Sequence, residues 1–231
     1  MKQNGSMLKM EQNLYPKEEP MDQIDEQYII PQTPLRVNAF DLADEEKIDV
    51  ISEHFKKIMC TLGLDLDDDS LKGTPGRVAR MFVKEIFSGL NPKNKPVISL
   101  FDNKYKYNQM LIEKNIALYS NCEHHFVPII GKVHVAYISS GKVIGISKIN
   151  RIVQYYAQRP QVQERLTVQI ANELKSILQT DNVAVVIDAL HLCVSSRGIK
   201  DANSTTITAQ YSGVFLEAER RDEFLRYISN K

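Results

Sequence analysis

Two neighbouring stretches decide the fold of this chain: residues 109–120 (QMLIEKNIALYS) and residues 127–139 (VPIIGKVHVAYIS). Both are rich in Ile, Val, Leu and Tyr with a patchy alternation, which is typical of β-strands. A shorter strand is predicted at 143–147. Further along, 183–194 is an almost continuous apolar run and 204–215 is a Thr-rich alternating one. We therefore expect two groups of strands that are well separated along the chain.

The stretch between these groups has the periodicity of helices. Apolar residues recur at helical spacing over 149–156, Pro160 interrupts the pattern, and the spacing resumes over 162–177. The order β-β-α-α-β-β predicts an α+β fold in which an antiparallel sheet carries both helices on one face. Such a sheet has two open edges and one uncovered face. Strand pairing between subunits into a closed, barrel-like ring would remove the edges, so we expect a homo-oligomer.

The region before the strands divides into two parts. Residues 1–40 are polar and proline-containing with no sustained apolar period, which predicts a disordered tail. Residues 41–95 carry two helical patterns, the second capped by Thr74. We expect this helical pair to precede the sheet-forming part, 96–231, which ends in a short helix at 217–226.

Composition excludes several classes of partner. The chain has 231 residues with 29 basic and 29 acidic side chains, so its formal net charge at pH 7 is zero. Binding to nucleic acid or an anionic membrane surface needs a surplus of Lys and Arg over a whole face, so neither partner is expected. No apolar run approaches the roughly 20 residues that span a bilayer. Three cysteines are too few for a disulfide framework. We expect a cytoplasmic protein whose thiols are free or bind metal.

Two short motifs combine cysteine and histidine. Residues 122–125 read Cys-Glu-His-His after one strand, and residues 191–193 read His-Leu-Cys near the end of another. Cys122, His125 and Cys193 together offer two thiolates and an imidazole, a set that suits Zn²⁺ and leaves one coordination position open. Spacing alone also allows packing residues with no metal.

Each motif contains a second histidine. His124 adjoins His125, and His191 would lie on the same strand face as Cys193 because residues i and i+2 of a strand point the same way. One histidine would then bind the metal while His124 and His191 transfer protons near neutral pH. This doubling favours a hydrolytic site in which the metal activates water.

Basic residues cluster near the same motifs. Ser147, Lys148 and Arg151 lie at the start of the first middle helix, where backbone N–H groups and positive charge favour phosphate, and Arg197 follows Cys193. Solvated surface charge is the alternative interpretation for each. The same alternative applies to Arg77 and Arg80, which lie three residues apart on the early helix.

Gln163 and Glu164 begin the second middle helix. A carboxylate there could accept hydrogen bonds from the adjacent N1–H and 2-amino donors of a guanine or pterin. An acidic residue favoured by the helix dipole is the alternative.

Four strings resemble the GTP cyclohydrolase I family in order and spacing: 120–125, 145–153, 159–167 and 191–199. The similarity runs from about residue 44 to the C-terminus. It implies the T-fold (tunnelling fold), assembled as a homodecamer of two pentameric rings. It also implies conversion of GTP and water to 7,8-dihydroneopterin triphosphate and formate, in folate or tetrahydrobiopterin biosynthesis.

The resemblance also implies a role for each candidate. Cys122, His125 and Cys193 match the family's zinc ligands, and His124 and His191 match its acid/base histidines. The residues that match the family's triphosphate-binding group are Ser147, Lys148, Arg151 and Arg197. The resemblance adds Arg77 and Arg80, contributed by a neighbouring subunit. Gln163 and Glu164 match the pair that anchors the purine.

Two other functions stay open from the sequence. One is a different T-fold enzyme acting on pterins or deazapurines, such as a nitrile reductase or a dihydroneopterin aldolase. The Cys-His-Cys set argues against both. The other is a non-catalytic, zinc-stabilised scaffold that binds nucleotides, against which the extra histidines argue.

Overall fold

A computed structural model describes residues 32–229 of the chain. The N-terminal part contains the expected pair of helices, followed by a π-helical turn at Phe82–Ile86 and two 3₁₀ turns. The helices are α1 (Asp44–Thr61) and α2 (Thr74–Met81), and the 3₁₀ turns are Ser88–Leu90 and Pro92–Asn94. Gly73, rather than the predicted Thr74, is the N-cap of α2, because Thr74 already has helical geometry and Pro75 follows in the first turn.

The rest of the chain alternates strands and helices in the predicted order. The strands are β1 (Leu100–Asp102), β2 (Leu111–Cys122), β3 (Pro128–Tyr137), β4 (Lys142–Ile144), β5 (Pro160–Gln161), β6 (Val183–His191) and β7 (Thr206–Tyr211). The helices are α3 (Ile146–Ala157), α4 (Gln163–Leu178), the single turn α5 (Leu192–Ser195) and α6 (Ala218–Ser229), which a 3₁₀ turn at Gly213–Leu216 precedes.

The main sheet has five strands in the order β5-β2-β3-β6-β7. The pairs β2–β3, β3–β6 and β6–β7 are antiparallel, while the two-residue β5 runs parallel to β2. The predicted α+β class and β-β-α-α-β-β order are therefore confirmed.

The strand predicted at 143–147 is shorter and does not belong to the main sheet. It corresponds to β4, which pairs with β1 in a separate two-stranded sheet. It ends at Ile144 because α3 begins at Ile146.

The strand predicted at 183–194 also ends early. β6 stops at His191, and the backbone then turns into α5, closed by a 2.9 Å hydrogen bond from Ser196 N to Leu192 O. Cys193 is thus not a strand residue. The expectation that His191 and Cys193 share a strand face is wrong for this reason.

Helices α3 and α4 cover one face of the sheet and bury the main core. Residues spaced three or four apart on α4 are fully buried against alternate residues of β6: Leu166, Ile170, Leu174 and Leu178 face Val183, Val185 and Ile187. Complete burial of each such side chain contributes about 1.5–3 kcal/mol. The periodicity that predicted these helices is therefore the periodicity of their packing.

The second face of the sheet is not as open as the sequence predicted. Phe215 and Phe224, from the C-terminal 3₁₀ turn and α6, are fully buried against Ala136, Ala184 and Val186. These apolar residues of β3 and β6 provide the surface on which α6 packs. The C-terminal helix therefore covers one end of this face.

Residues 1–31 of the predicted tail lie outside the described residues. Within 32–40, Thr33 is buried, and its hydroxyl accepts a hydrogen bond from Arg159 Nη1 at 3.4 Å. The chain therefore contacts the domain before the predicted boundary at residue 41. Among residues 32–229, no helix is long and apolar enough to cross a membrane.

The close approach of β3 to β6 requires glycine at position 131. Gly131 pairs with Ala189, and an added Cβ would collide with the carbonyl oxygen of Asp188 and lie 2.5 Å from Ala189 Cα. Because these are backbone atoms of a paired strand, Gly131→Ala should lower the free energy of unfolding by about 1–3 kcal/mol. The midpoint of thermal unfolding measures this loss.

Gly76→Ala is the matched control. In α2 the added methyl group would meet only Arg80 Nη2 at 3.5 Å, and Ala is favoured over Gly in helices by about 0.8–1.0 kcal/mol. The midpoint of this variant should stay the same or rise. Equal midpoints for the two variants would contradict the packing argument.

Candidate active site

Three side chains from separate parts of the chain meet at one end of the main sheet. Cys122 is the last residue of β2, His125 lies in the turn to β3, and Cys193 lies in α5 after β6. One ligand atom from each side chain, two sulfurs and an imidazole nitrogen, lies within 4.8 Å of the other two. The structure thus brings together the three predicted metal ligands.

The β2–β3 turn is held in shape by backbone and ring contacts. Cys122 N donates to Val127 O at 2.9 Å, and Phe126 N donates to Cys122 O at 2.8 Å. Phe126 has a φ of 53°, which is unusual for a bulky residue. Its ring packs against Phe87 and Phe82, with centroids 5.0 and 6.4 Å away. These contacts hold the backbone beside His125 in this conformation, a role that sequence reasoning missed.

The chemistry of the cluster fits a bound cation. Burial and the neighbouring Cys122 thiol both raise the pKa of the Cys193 thiol, so Cys193 by itself stays protonated at neutral pH. A divalent ion reverses this preference because it stabilises the thiolate. Two sulfurs and one imidazole are ligands that Zn²⁺ accepts, and three protein ligands leave a fourth position for water or substrate. The cluster could therefore hold a metal ion with an open position.

His124 lies beside the cluster and points partly to solvent. Its Nδ1 is 3.6 Å from Cys122 Sγ, and its Nε2 is 4.0 Å from Glu123 Oε1. Glu123 also pairs with Arg165, whose Nε donates to Gln161 Oε1 at 3.0 Å. Glu123 and Arg165 therefore link His124 to the start of α4. The sequence motifs predicted no role for either residue, although Glu123 lies within the Cys-Glu-His-His motif.

His191 is half-buried at the end of β6. Its Nε2 lies 2.7 Å from Gln163 Oε1. Burial lowers its pKa, and the nearby Glu164 carboxylate partly opposes this effect. The ring is therefore neutral at pH 7, and it is available to accept a proton.

Gln163 and Glu164 point in different directions from the first turn of α4. Glu164 is exposed, whereas Gln163 is 1% exposed. The amide nitrogen of Gln163 lies within hydrogen-bond distance of three oxygen atoms of β6 and β7: Ile187 O, Thr206 O and Thr208 Oγ1. Both of its hydrogens are used within the chain. The N–H groups of Gln163 therefore cannot make the predicted contact with a purine edge.

The predicted phosphate-binding residues lie at opposite ends of the main sheet. Helix α3 begins beside Tyr137, whose hydroxyl is 3.5 Å from Ile144 N, and it ends beside Ser120, whose hydroxyl donates to Ala157 O at 2.7 Å. Its first turns are therefore at the end of the sheet away from the cluster, and the structure does not bring them together with Arg197 within one chain. Ser147, Lys148 and Arg151 occupy the first turns of α3, and Arg197 follows α5. Lys148 Nζ donates to Val97 O at 2.8 Å, and Arg197 Nη1 donates to Cys193 O at 3.4 Å. The latter contact places the Arg197 guanidinium next to the backbone of a predicted metal ligand.

Arg77 and Arg80 lie apart from these residues in the chain, on the exposed side of α2. Arg77 Nη2 donates to Ser70 O at 3.0 Å and to Thr74 Oγ1 at 2.7 Å. Helix α2 packs against α1 and the π-helical turn, whereas the cluster is carried by β2, the β2–β3 turn and α5. These arginines therefore belong to the helical N-terminal part.

Sequence comparison identifies relatives over most of the chain. Residues 51–229 match the family described as GTP cyclohydrolase I. A protein named GTP cyclohydrolase 1 from Flavobacterium johnsoniae is 64% identical over 195 residues, which cover 84% of this chain and 87% of that protein. The protein of the same name from Citrobacter koseri is 53% identical over 198 residues, covering 85% of this chain and 89% of its own length.

Among solved structures, the apo form of an archaeosine synthase, QueF-like, is 20% identical with a TM-score of 0.40. It covers 47% of this chain and 97% of its own. The family match begins inside α1 and extends to the end of α6, so it includes all three residues of the cluster. With this match and the identity to two relatives of nearly equal extent, the chain belongs to the GTP cyclohydrolase I family.

Proposed function

We propose that this chain converts GTP and water to 7,8-dihydroneopterin triphosphate and formate, the entry reaction of pterin biosynthesis. Its membership of the family supports this activity. The observation that carries the proposal is the Cys122/His125/Cys193 cluster with His124 against one of its sulfurs, 3.6 Å away. Such a site combines a metal position with an imidazole that can carry protons. A binding scaffold needs no such imidazole.

Zn²⁺ is the metal that we propose for the cluster. Cys122, His125 and Cys193 would hold it, since thiolate and imidazole ligands favour zinc over Mg²⁺ or Ca²⁺. When bound, the ion supplies Lewis-acid activation of water at neutral pH.

We assign recognition of the guanine base to Glu164. Its carboxylate is exposed at the start of α4, and it lies close enough to His191 to influence the pKa of that imidazole. A carboxylate can accept from both N1–H and the 2-amino group of guanine, which an amide cannot do. A guanine held there would present its imidazole ring towards the histidines.

The triphosphate is assigned to Lys148, Arg151 and Arg197, with the Ser147 hydroxyl as a further donor. Because α3 begins at the end of the sheet away from Arg197, the residues of α3 would come from a neighbouring subunit of the oligomer. The start of α3 adds backbone N–H groups to this positive charge. Arg77 and Arg80 would complete the set from a neighbouring subunit, as the family resemblance implies; in this chain they lie on α2, which packs against α1 and the π-helical turn. Local convergence of cations would thus hold an anion on a chain without net charge.

His191 is proposed to take up a proton from water and then, as the imidazolium, to donate it to N7 of the bound guanine. Protonation at N7 makes C8 more electrophilic, so that water adds there and the ring opens to a formamide. A second addition of water at the same carbon releases formate. His124 and His191 would then carry protons while the ribose opens and the pterin ring closes. The half-buried position of His191 limits competing proton exchange with bulk water.

A ring-shaped oligomer, a decamer of two pentamers, also belongs to the proposal. The uncovered part of the second sheet face exposes Tyr119, Ile130 and Ile207 near the metal cluster, Tyr119 by 70% and Ile207 by 66%. Within residues 32–229, β7 is also an edge strand, with a partner strand on one side only. Pairing with another subunit would cover both features. A cytoplasmic location stays a prediction.

Replacing Cys193 with Ser tests the metal assignment. A serine hydroxyl is a poor zinc ligand, so bound zinc should fall well below one ion per chain. Formate release from GTP should fall by at least about 100-fold, since changes beyond the ligands already cost 10–100-fold in metal affinity or activity. Atomic emission measures the zinc, and a coupled assay measures the formate.

Cys60→Ser is the matched control, because Cys60 is exposed on α1. It should keep both zinc and activity. Wild-type zinc content together with wild-type formate release in Cys193→Ser would refute the ligand assignment. Zinc-loaded wild-type protein that produces no formate from GTP would instead support a non-catalytic scaffold.

Replacing His191 with Ala tests the proton donor. Zinc should stay bound, while the rate of formate release falls by about 10²- to 10⁴-fold, the usual contribution of general acid–base catalysis. His54→Ala, which changes an exposed histidine of α1, should match the wild type. Turnover of GTP by His191→Ala at the wild-type rate would remove His191 from the reaction.

Replacing Glu164 with Gln tests base recognition. The amide cannot accept from both guanine donors, so the dissociation constant for GTP should rise by about 10-fold or more, as expected from losing a hydrogen bond to a charged group. Titration calorimetry in the His191→Ala background, in which turnover is slow, gives this constant. Glu219→Gln is the control, since Glu219 is an acidic residue in the first turn of another helix, α6. Unchanged GTP affinity would remove Glu164 from the base site.

A further inference from the structure

The side chain of Gln163 has one orientation that its surroundings allow. It is buried between α4 and strands β6 and β7, where its nitrogen lies 2.8 Å from Thr206 O and 3.2 Å from Ile187 O. Carbonyl oxygens only accept hydrogen bonds, so the NH₂ group must face them. If the amide oxygen and nitrogen were exchanged, Oε1 would face the carbonyl oxygens of Ile187 and Thr206, and none of these three atoms could donate a hydrogen bond. The position of Oε1 is therefore determined, and Oε1 faces His191.

This orientation in turn determines which ring nitrogen of His191 carries a hydrogen. Gln163 Oε1 lies 2.7 Å from His191 Nε2 and can only accept. Nε2 must therefore be the donor. In a neutral imidazole the other nitrogen, Nδ1, then has the free electron pair.

A second layer of hydroxyl groups holds Gln163 itself. Thr208 Oγ1 on β7 lies 3.1 Å from Gln163 Nε2 and 2.7 Å from Thr167 Oγ1. Thr167 Oγ1 also donates to the backbone oxygen of Gln163 at 2.8 Å. Thr167 and Gln163 are almost fully buried. The amide is thus fixed by α4, β6 and β7 together, which makes it a rigid support for a neighbouring ring.

We propose that Gln163 is a positioning residue for His191: it holds the ring in the Nε2–H tautomer and leaves Nδ1 as the nitrogen that exchanges protons with the substrate. This assignment rests on the role of His191 in the proposed function. It replaces the purine contact that the sequence implied for Gln163. Glu164, the next residue, keeps the purine role because it points outward.

The Gln163→Met variant separates the two roles. Methionine has a similar length and apolar character suited to a buried site, but it accepts no comparable hydrogen bond from His191. We expect kcat for formate release to fall by roughly 10- to 100-fold, by analogy with residues that orient metal-binding histidines. KM for GTP should change by less than about 2-fold. Zinc content should equal that of the wild type.

Binding of 7-deaza-GTP provides a readout that is independent of turnover. This analogue has a C–H group in place of N7, so it cannot be protonated there, while its pyrimidine edge is the same as in GTP. Calorimetry should give the same dissociation constant for Gln163→Met and the wild type. A rise of 10-fold or more would identify Gln163 as a purine contact and overturn the positioning role.

Gln169→Met is the matched control. Gln169 is also a buried glutamine of α4, and its Oε1 accepts from Gln161 Nε2 at 2.8 Å rather than from a histidine. Its replacement should lower the thermal midpoint without changing kcat. Equal losses of kcat in the two glutamine variants would reduce Gln163 to a general packing role and overturn the proposal. Wild-type kcat in Gln163→Met would do the same.

The wild-type protein offers a test that does not depend on the folding of a variant. The ¹⁵N NMR spectrum of histidine-labelled, zinc-loaded protein distinguishes the two neutral tautomers, and the signals absent from His191→Ala belong to His191. We expect hydrogen on Nε2, whereas hydrogen on Nδ1 alone would overturn the proposal. If His191→Ala turns over GTP normally, the proposed function of His191 fails, a result distinct from failure of the Gln163 assignment.

Discussion

The pairing of β3 with β6 is the interaction on which the site depends. Its register runs from Tyr137 opposite Val183 to Ile129 opposite His191. Because β2 and β3 form a hairpin, this register places the turn that carries His125 beside the end of β6. A slip of one residue would reverse the faces of β6 and move His191 away from Gln163. The close contact at Gly131, two residues from the His191 end of this pair, protects the register because no larger residue fits.

A second connection brings the start of α4 to the same place. β5 pairs with the end of β2, with Cys122 opposite Gln161, and Glu123 N donates to Gln161 O at 3.0 Å. Helix α4 begins two residues later. Since consecutive residues on a helix are about 100° apart, Gln163 points into the protein while Glu164 points out. One helix start thus provides an internal support and an external carboxylate.

Burial favours the neutral form of two titratable side chains at this site, His191 and Cys193. It lowers the pKa of His191 and raises that of Cys193, so both groups favour their neutral forms. A neutral imidazole can accept a proton, which suits a proton carrier. A neutral thiol is a poor ligand, so the thiolate form needs a cation. Without a bound cation, the local environment therefore favours a neutral thiol beside a neutral histidine, and a cation would be needed to stabilise the thiolate.

Much of the fold followed from the sequence because the packing of this domain is periodic. Ile170 and Leu174 of α4, and the alternating residues of β3, have the spacing that burial on one face requires, so the order of elements was predictable. The Cys-Glu-His-His and His-Leu-Cys motifs likewise predicted three ligands whose ligating atoms the fold brings within 4.8 Å of one another. The ends of elements were less predictable. The apolar run to Val194 resembles a strand, yet a helical turn begins at Leu192 because backbone hydrogen bonds there are local.

The sequence by itself determined which residue types are present and which of them lie on the same element. Only the tertiary structure decided what each polar side chain contacts. Gln163 and Glu164 are neighbours of similar size, and no local pattern distinguishes the residue that supports His191 from the residue that faces outward. Likewise, Glu123 and Arg165 are 42 positions apart and meet only because β5 pairs with β2. Hydrogen bonds are short and directional, so their partners depend on the relative placement of distant strands, which local sequence patterns do not encode.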